Sequence, residues 1–222
     1  MIVERGVCAY LWESLFENNC NSYILGEERG VLVDVGHQRH VSHVLRGMDT
    51  DGITLDQIDL IIITHGHSDH LEALPSFLDG RIKATFHRNV EDYLHGEGAV
   101  LSQMMGAPPV PTIPVEFYLQ EGTLDAAGNQ FEIIHTPGHS PGSICVFWPE
   151  KKVLAAGDLV FHRGVGRTDL PGGNSKQLIE SIEKVRKLDV EILLPGHGGL
   201  VRGRQQVQEN FKFIEENYYA FL

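Results

Sequence analysis

Three imidazoles and a carboxylate fall within six residues, His65-Gly66-His67-Ser68-Asp69-His70. Neutral imidazole nitrogens suit zinc, iron and nickel, and a carboxylate oxygen widens the range towards iron and manganese. Several candidate ligands at such short spacing point to a metal site rather than to a polar turn. Three later segments each offer one more: His139 in Thr136-Pro137-Gly138-His139-Ser140-Pro141-Gly142, Asp158 in Ala156-Gly157-Asp158, and His197 in Pro195-Gly196-His197-Gly198. A lone histidine or aspartate in a loop is usually solvated or hydrogen-bonded. Repetition of one arrangement, a single candidate ligand just after an apolar run, makes the four segments support one another.

Those apolar runs are the elements that must position the chemistry. Leu60 to Ile63 is too short for an ordinary helix and reads as a strand buried on both faces. Similar runs are Ser22 to Leu25, Val31 to Val35, Ile82 to Phe86, Phe131 to His135, Ile144 to Trp148, Val153 to Ala156 and Ile192 to Leu194. Helical spacing appears at Val41, Val44, Leu45 and Met48, at Leu178, Ile182 and Val185 behind a cap at Asn174 or Ser175, and at Val207, Phe211, Ile214 and Tyr218. Short apolar strands alternating with amphipathic helices predict an α/β sheet covered by other layers, with ligands on the loops beyond the strand ends. Gly96 to Pro114, with Met104, Met105 and four prolines, reads as an irregular surface excursion or an apolar lid.

Composition bounds the remainder. The chain has 222 residues, 42% of them hydrophobic, enough for a sizeable core, and no linker divides it, so 1–222 is expected to form one domain. A net charge of -12 opposes the counterion-release attraction that drives nucleic-acid binding. No apolar run approaches the length that spans a bilayer, and no early segment pairs a basic flank with one. A cytoplasmic protein with a small-molecule substrate, no nucleic acid and no membrane is the expectation; oligomeric state is left open. Cys8, Cys20 and Cys145 match no disulfide framework and are expected to be buried thiols. His37, His40 and His43 run along the predicted helix near Arg39 and are expected to be surface residues.

In order and context, the four segments resemble the metallo-β-lactamase superfamily pattern T-H-x-H-x-D-H, then T-P-G-H-S/T, then G-D, then P-G-H, spanning residues 64 to 197. The resemblance implies a four-layer αββα sandwich with two mixed sheets face to face and metals at one rim. It implies that His65, His67 and His139 hold one ion, that Asp69, His70 and His197 hold a second, and that Asp158 bridges them. Asp34 matches an acidic position that supports the site from behind. Two divalent ions, zinc first among them with iron or manganese as alternatives, would lower the pKa of a bridging water and polarise a substrate carbonyl. Asp69, beyond its ligand role, could align that nucleophile or carry a proton, and Asp69 and Asp158 are the expected catalytic carboxylates.

Smaller features select a branch. Asp158 stands where the main class of zinc β-lactamases has cysteine, which argues against antibiotic hydrolysis. Gly164-Val165-Gly166-Arg167-Thr168-Asp169-Leu170 resembles the G-R-T/S-D-F stretch of the glyoxalase II and persulfide dioxygenase branch, with Leu170 replacing phenylalanine. Arg167 and Asp169 are read as a pair ordering that loop or as substrate contacts, and His162 as a residue within reach of substrate. Leu71-Glu72-Ala73 departs from the usual continuation after the motif. About 25 residues follow His197, room for one terminal helix. The short glyoxalase II-like hydrolases are therefore the nearer resemblance. The expected activity is dinuclear hydrolysis of a small thioester such as an S-acylglutathione. Alternatives are a mononuclear iron persulfide dioxygenase, a lactone hydrolase and a non-catalytic metal-binding protein.

Overall fold

The computed structural model describes residues 1–14, 16–104 and 113–222. Its first sheet contains β1 (Ile2–Glu4), β2 (Val7–Tyr10), β3 (Ser22–Leu25), β4 (Gly30–Val33), β5 (Ile58–Ile62) and β6 (Lys83–Thr85), in that spatial order. Pairing is antiparallel as far as β4 and parallel for β4–β5 and β5–β6. The second sheet is assembled from β7 (Gly122–Ala126), β8 (Asn129–His135), β9 (Ile144–Trp148), β10 (Val153–Gly157), β13 (Ile192–Pro195) and β14 (Val201–Arg202). Within it, β10 and β13 run parallel and the other neighbours antiparallel. A separate hairpin pairs β11 (Val160–Phe161) with β12 (Gly164–Val165).

Helices α1 (Val41–Thr50), α2 (Ser68–Leu71), α3 (Arg88–His95), α4 (Glu97–Met104), α5 (Ser175–Val185) and α6 (Arg204–Tyr218) complete the chain. Because successive strand residues face opposite sides, each sheet contributes to two apolar layers. Val7, Ala9, Leu25, Val31, Val33 and Ile62 meet Phe131, Ile133, Val146, Trp148 and Leu194 in the core between the sheets. Ile24, Leu32, Ile61 and Ile63 face α1 and α3 through Val44, Met48 and Val90. Cys145, Phe147, Leu154 and Leu193 face α5 and α6 through Leu178, Ile182, Phe211 and Ile214. Three apolar layers between four layers of backbone make the αββα sandwich expected from the resemblance.

Asn174 caps α5 by accepting from the Gln177 N–H, as its sequence position predicts. The stretch from Gly96 to Pro114, expected to be irregular throughout, instead begins with α4. Its apolar residues define no single buried face, Val100 and Met104 being exposed, so hydrophobic periodicity does not announce the helix. The remainder of that segment, 105–112, lies outside the described residues. All three cysteines are buried and unpaired.

Candidate metal centre

Strand direction explains why four distant segments converge. Strands β4 and β5 are parallel neighbours, so Asp34 and Thr64, which follow them, leave the first sheet at the same edge. Strands β10 and β13 are parallel neighbours as well, with Gly157 opposite Pro195, which sets Asp158 beside His197 at the matching edge of the second sheet. His139 leaves β8 at that edge too, because β9 runs antiparallel to both β8 and β10. The two rims are stitched together by Ile144 N–H donating to Thr64 O at 2.9 Å and Asn21 N–H donating to Gly196 O at 2.7 Å. Within the opening motif, the short turn of α2 redirects the chain after His67, and Asp69 and His70 join His197 in a donor set that His65 and His67 do not enter.

The ring nitrogens and carboxylate oxygens draw together into connected groups. His65 Nε2 is 3.1 Å from His67 Nδ1, and His139 Nε2 is 2.8 Å from that same atom. His197 Nε2 is 3.4 Å from both His70 Nε2 and Asp69 Oδ2. Asp158 lies between, with Oδ2 at 3.5 Å from His139 Nε2 and 3.2 Å from His197 Nε2, and Oδ1 at 3.3 Å from His70 Nε2. The donor sets are His65, His67 and His139; His65, His70 and Asp158; and Asp69, His70 and His197. Nitrogen ligands about 2.0–2.1 Å from a tetrahedral ion stand about 3.3 Å apart, close to these spacings. Asp158 Oδ1 is buried without a hydrogen-bond donor, an arrangement that a cation would satisfy. The residues present therefore fit a pair of divalent ions.

Outer contacts fix which nitrogen faces inward in three of the rings. His70 Nδ1–H donates to Asp34 Oδ2 at 2.8 Å, and His139 Nδ1–H donates to the Arg167 carbonyl at 2.8 Å. His65 Nδ1 is 3.1 Å from Thr64 Oγ1, whose hydroxyl donates to Asp34 Oδ2 at 2.8 Å. In all three rings this leaves the Nε2 lone pair for the centre. Asp34 is 2% exposed, takes a left-handed φ of 56° and also accepts from Thr64 N–H at 2.8 Å. Two glycines make room: a Cβ at Gly196 would stand 2.1 Å from Asp158 Oδ1, and one at Gly157 2.7 Å from Thr64 Oγ1.

Electrostatics divides the histidines. Burial, reinforced by neighbouring rings, holds His65 well below the ordinary imidazole range and brings His67 to about 3, so both are neutral at pH 7. Burial also opposes the charged forms of His70 and His197. For His70 it is outweighed by Cys20, Asp34, Asp158 and Asp69, which raise it well above its usual value; for His197, Asp158 and Asp69 prevail and bring it to about 9. For Asp69 and Asp158 burial favours the neutral acid, yet the surrounding imidazoles overcome it and hold both carboxyls below the usual carboxylate range.

The remaining sequence candidates lie further out. Arg167 and Asp169 form a two-pronged ion pair at 2.8–2.9 Å, but both side chains are exposed; the part of Arg167 that reaches the centre is its carbonyl. His162 is exposed in the turn between β11 and β12, whereas Phe161 of the same hairpin sets its ring 5.7 Å from that of His197. Sequence reasoning missed Thr64, Asn18 and Asn21. Asn21 is fully buried, donates to the carbonyls of Pro195 and Gly198 at 2.9 Å each, and so brackets His197. The run Asn18-Asn19-Cys20-Asn21 ahead of an apolar strand was the available signal. A cleft of about 350 Å³ opens beside His197, walled by Trp12, Glu13, Glu17 and Asn18 on one side and Gly198 and Gly199 on the other.

Residues 15–197 match the metallo-beta-lactamase superfamily. Hydroxyacylglutathione hydrolase GloC of Haemophilus influenzae is 31% identical over 200 residues, covering 88% of this chain and 92% of that protein. Among solved structures, BLEG-1 B3 metallo-beta-lactamase superposes with a TM-score of 0.75 at 29% identity, covering 91% of this chain and 95% of that one. TTHA1623, solved in a di-iron-bound form, gives a TM-score of 0.70 at 32% identity, covering 86% and 91% respectively.

Proposed function

The chain belongs to the metallo-beta-lactamase superfamily, and from that premise we propose that it is a dinuclear metal-dependent hydrolase of a small acyl thioester. The observation that carries the reading is Asp158, one carboxylate facing His139 of the first donor set and His70 and His197 of the second. A shared carboxylate is what a pair of ions needs, since it partly neutralises two like charges held close together. His65, His67 and His139 would hold one ion, Asp69, His70 and His197 the other. When bound, such ions supply an activated water and a Lewis acid for the carbonyl oxygen. Zinc and iron both suit the donor set, and the di-iron form of TTHA1623 keeps iron alongside zinc.

The chain's own groups do the rest. Asp34, Thr64 and the Arg167 carbonyl orient three rings with Nδ1 as the outward donor, so that Nε2 is the atom presented to an ion. Asp69, held by Asn18 and His197, is available to orient the attacking water. The cleft beside His197 would admit part of the substrate, and among the described residues its lining has Glu13 and Glu17 but no lysine or arginine. This part of the reading extends the GloC likeness to the reaction and leaves the carrier open.

The test is thiol release from neutral acyl thioesters and from S-lactoylglutathione, with a β-lactam added because of the likeness to BLEG-1. Turnover should vanish on chelation, return with added metal and be lost in Asp158→Ala. Robust hydrolysis after complete metal removal would refute the proposal, as would oxygen uptake with a persulfide in place of hydrolysis.

A further inference from the structure

Asp69 does not stand alone in its donor set. Its Oδ2, the oxygen 3.4 Å from His197 Nε2, accepts a hydrogen bond of 2.7 Å from Asn18 Nδ2. The two residues are 51 positions apart, and Asn18 is exposed on the loop between β2 and β3 whereas Asp69 is 8% exposed. That loop is anchored at several points: Trp12 N–H donates to Asn21 Oδ1 at 2.8 Å, Trp12 Nε1–H to Glu17 O at 2.7 Å, and His37 N–H to Asn19 Oδ1 at 2.6 Å. Asn18 is therefore presented to Asp69 by a braced loop, and the same loop forms one wall of the cleft beside His197.

We propose that Asn18 is a positioning residue for the second ion, its amide holding Asp69 Oδ2 in the orientation that completes the set with His70 and His197. This rests on the dinuclear reading above and goes beyond it by making the β2–β3 loop part of the metal centre. A carboxylate turns freely about its terminal torsion. Asp69 Oδ2 lies 3.4 Å from His197 Nε2, and the donor that Asn18 supplies to the same oxygen restricts that rotation before an ion arrives. Linkage then runs both ways: an ion bound at Asp69 steadies the loop, and a molecule that steadies the loop from the cleft tightens the ion. The first donor set, His65, His67 and His139, has no hydrogen bond to Asn18 and does not share this coupling.

The experiment is stepwise zinc binding to the full chain, read by competition with a chromophoric chelator and by cobalt absorption, with no substrate present. Asn18→Ala should weaken the second equivalent about 10- to 100-fold and leave the first within about threefold. Phe16→Ala, a change at an exposed neighbour that does not touch Asp69, should alter neither step. In the metal-free state Asn18→Ala should melt like the wild type, separating positioning from folding. An unchanged second step in Asn18→Ala, or equal weakening of both steps, would overturn the assignment of Asn18 alone. A wild-type protein that binds a single ion would overturn it together with the dinuclear reading.

Discussion

Replacing Asp34 with asparagine exchanges one buried oxygen for an NH2 group and keeps both size and the left-handed backbone, which asparagine tolerates well. Asp34 accepts from Thr64 N–H, Thr64 Oγ1–H and His70 Nδ1–H. An asparagine there must turn its NH2 either towards the Thr64 amide or towards His70. The first leaves two buried donors facing each other. The second forces His70 to move its proton to Nε2, the atom that faces Asp158 and His197. A mispaired buried donor costs about 1–3 kcal/mol, which corresponds to a loss of about 5- to 150-fold in affinity for the ion at Asp69, His70 and His197. His65 touches Asp34 only through the Thr64 hydroxyl, so the ion at His65, His67 and His139 should lose no more than about threefold. Equilibrium dialysis against buffered zinc gives the two affinities, and imidazole ¹⁵N shifts report the tautomer of His70. Two unchanged affinities in Asp34→Asn would refute the reasoning.

Further outcomes follow from the same geometry. Gly196→Ala drives a methyl against Asp158 Oδ1 and His70 Cε1, and overpacking of about 1–3 kcal/mol should lower metal content without changing far-UV circular dichroism. In the metal-free protein, His70 and His197 have raised pKa values, so loading at pH 7 should release up to about two protons, measurable in weak buffer; loading without proton release would contradict the assignment. The same raised values stabilise the metal-free fold fully below the unfolded-state pKa of about 6.5. Their contribution should be lost as pH rises through about 9, by up to about 1.4 kcal/mol per pH unit for each proton, as urea unfolding would measure. Phe131→Ala, at a fully buried position between the sheets, should cost about 3–5 kcal/mol of stability in denaturant titration.

The candidate donors of this centre were legible in the sequence, because ligand chemistry is carried by residue type and because each candidate follows an apolar strand. The order β4, Asp34 and β5, Thr64 could be read as strand-then-polar residue, but that Asp34 grips His70 and Thr64 together depends on parallel pairing, which no local pattern encodes. Arg167 shows the converse: its guanidinium drew attention in the sequence, yet its backbone carbonyl makes the contact, and any residue type supplies a carbonyl. Strands β1, β2, β7, β11, β12 and β14 went unread: β1, β7 and β14 lie at sheet edges, where inward and outward residues do not alternate cleanly, β11 and β12 are two residues each, and the four-residue run of β2, buried throughout, is too short to declare a period. For Asn18 the asparagine-rich run ahead of β3 marked a polar loop, but nothing in sequence joins it to a residue 51 positions away.

Each outer donor set draws two members from the first sheet's rim and one from the second: His65 and His67 with His139, Asp69 and His70 with His197. An ion held there would be a rivet across the seam between the sheets, and its binding energy would count directly against their separation. At a free metal concentration about a thousand times the dissociation constant, one such rivet adds about 4 kcal/mol to the folded state, on the scale of the whole stability of many domains. Metal supply would then govern how long the folded chain survives as well as how fast it turns over, and a starved cell would lose the protein itself along with its activity.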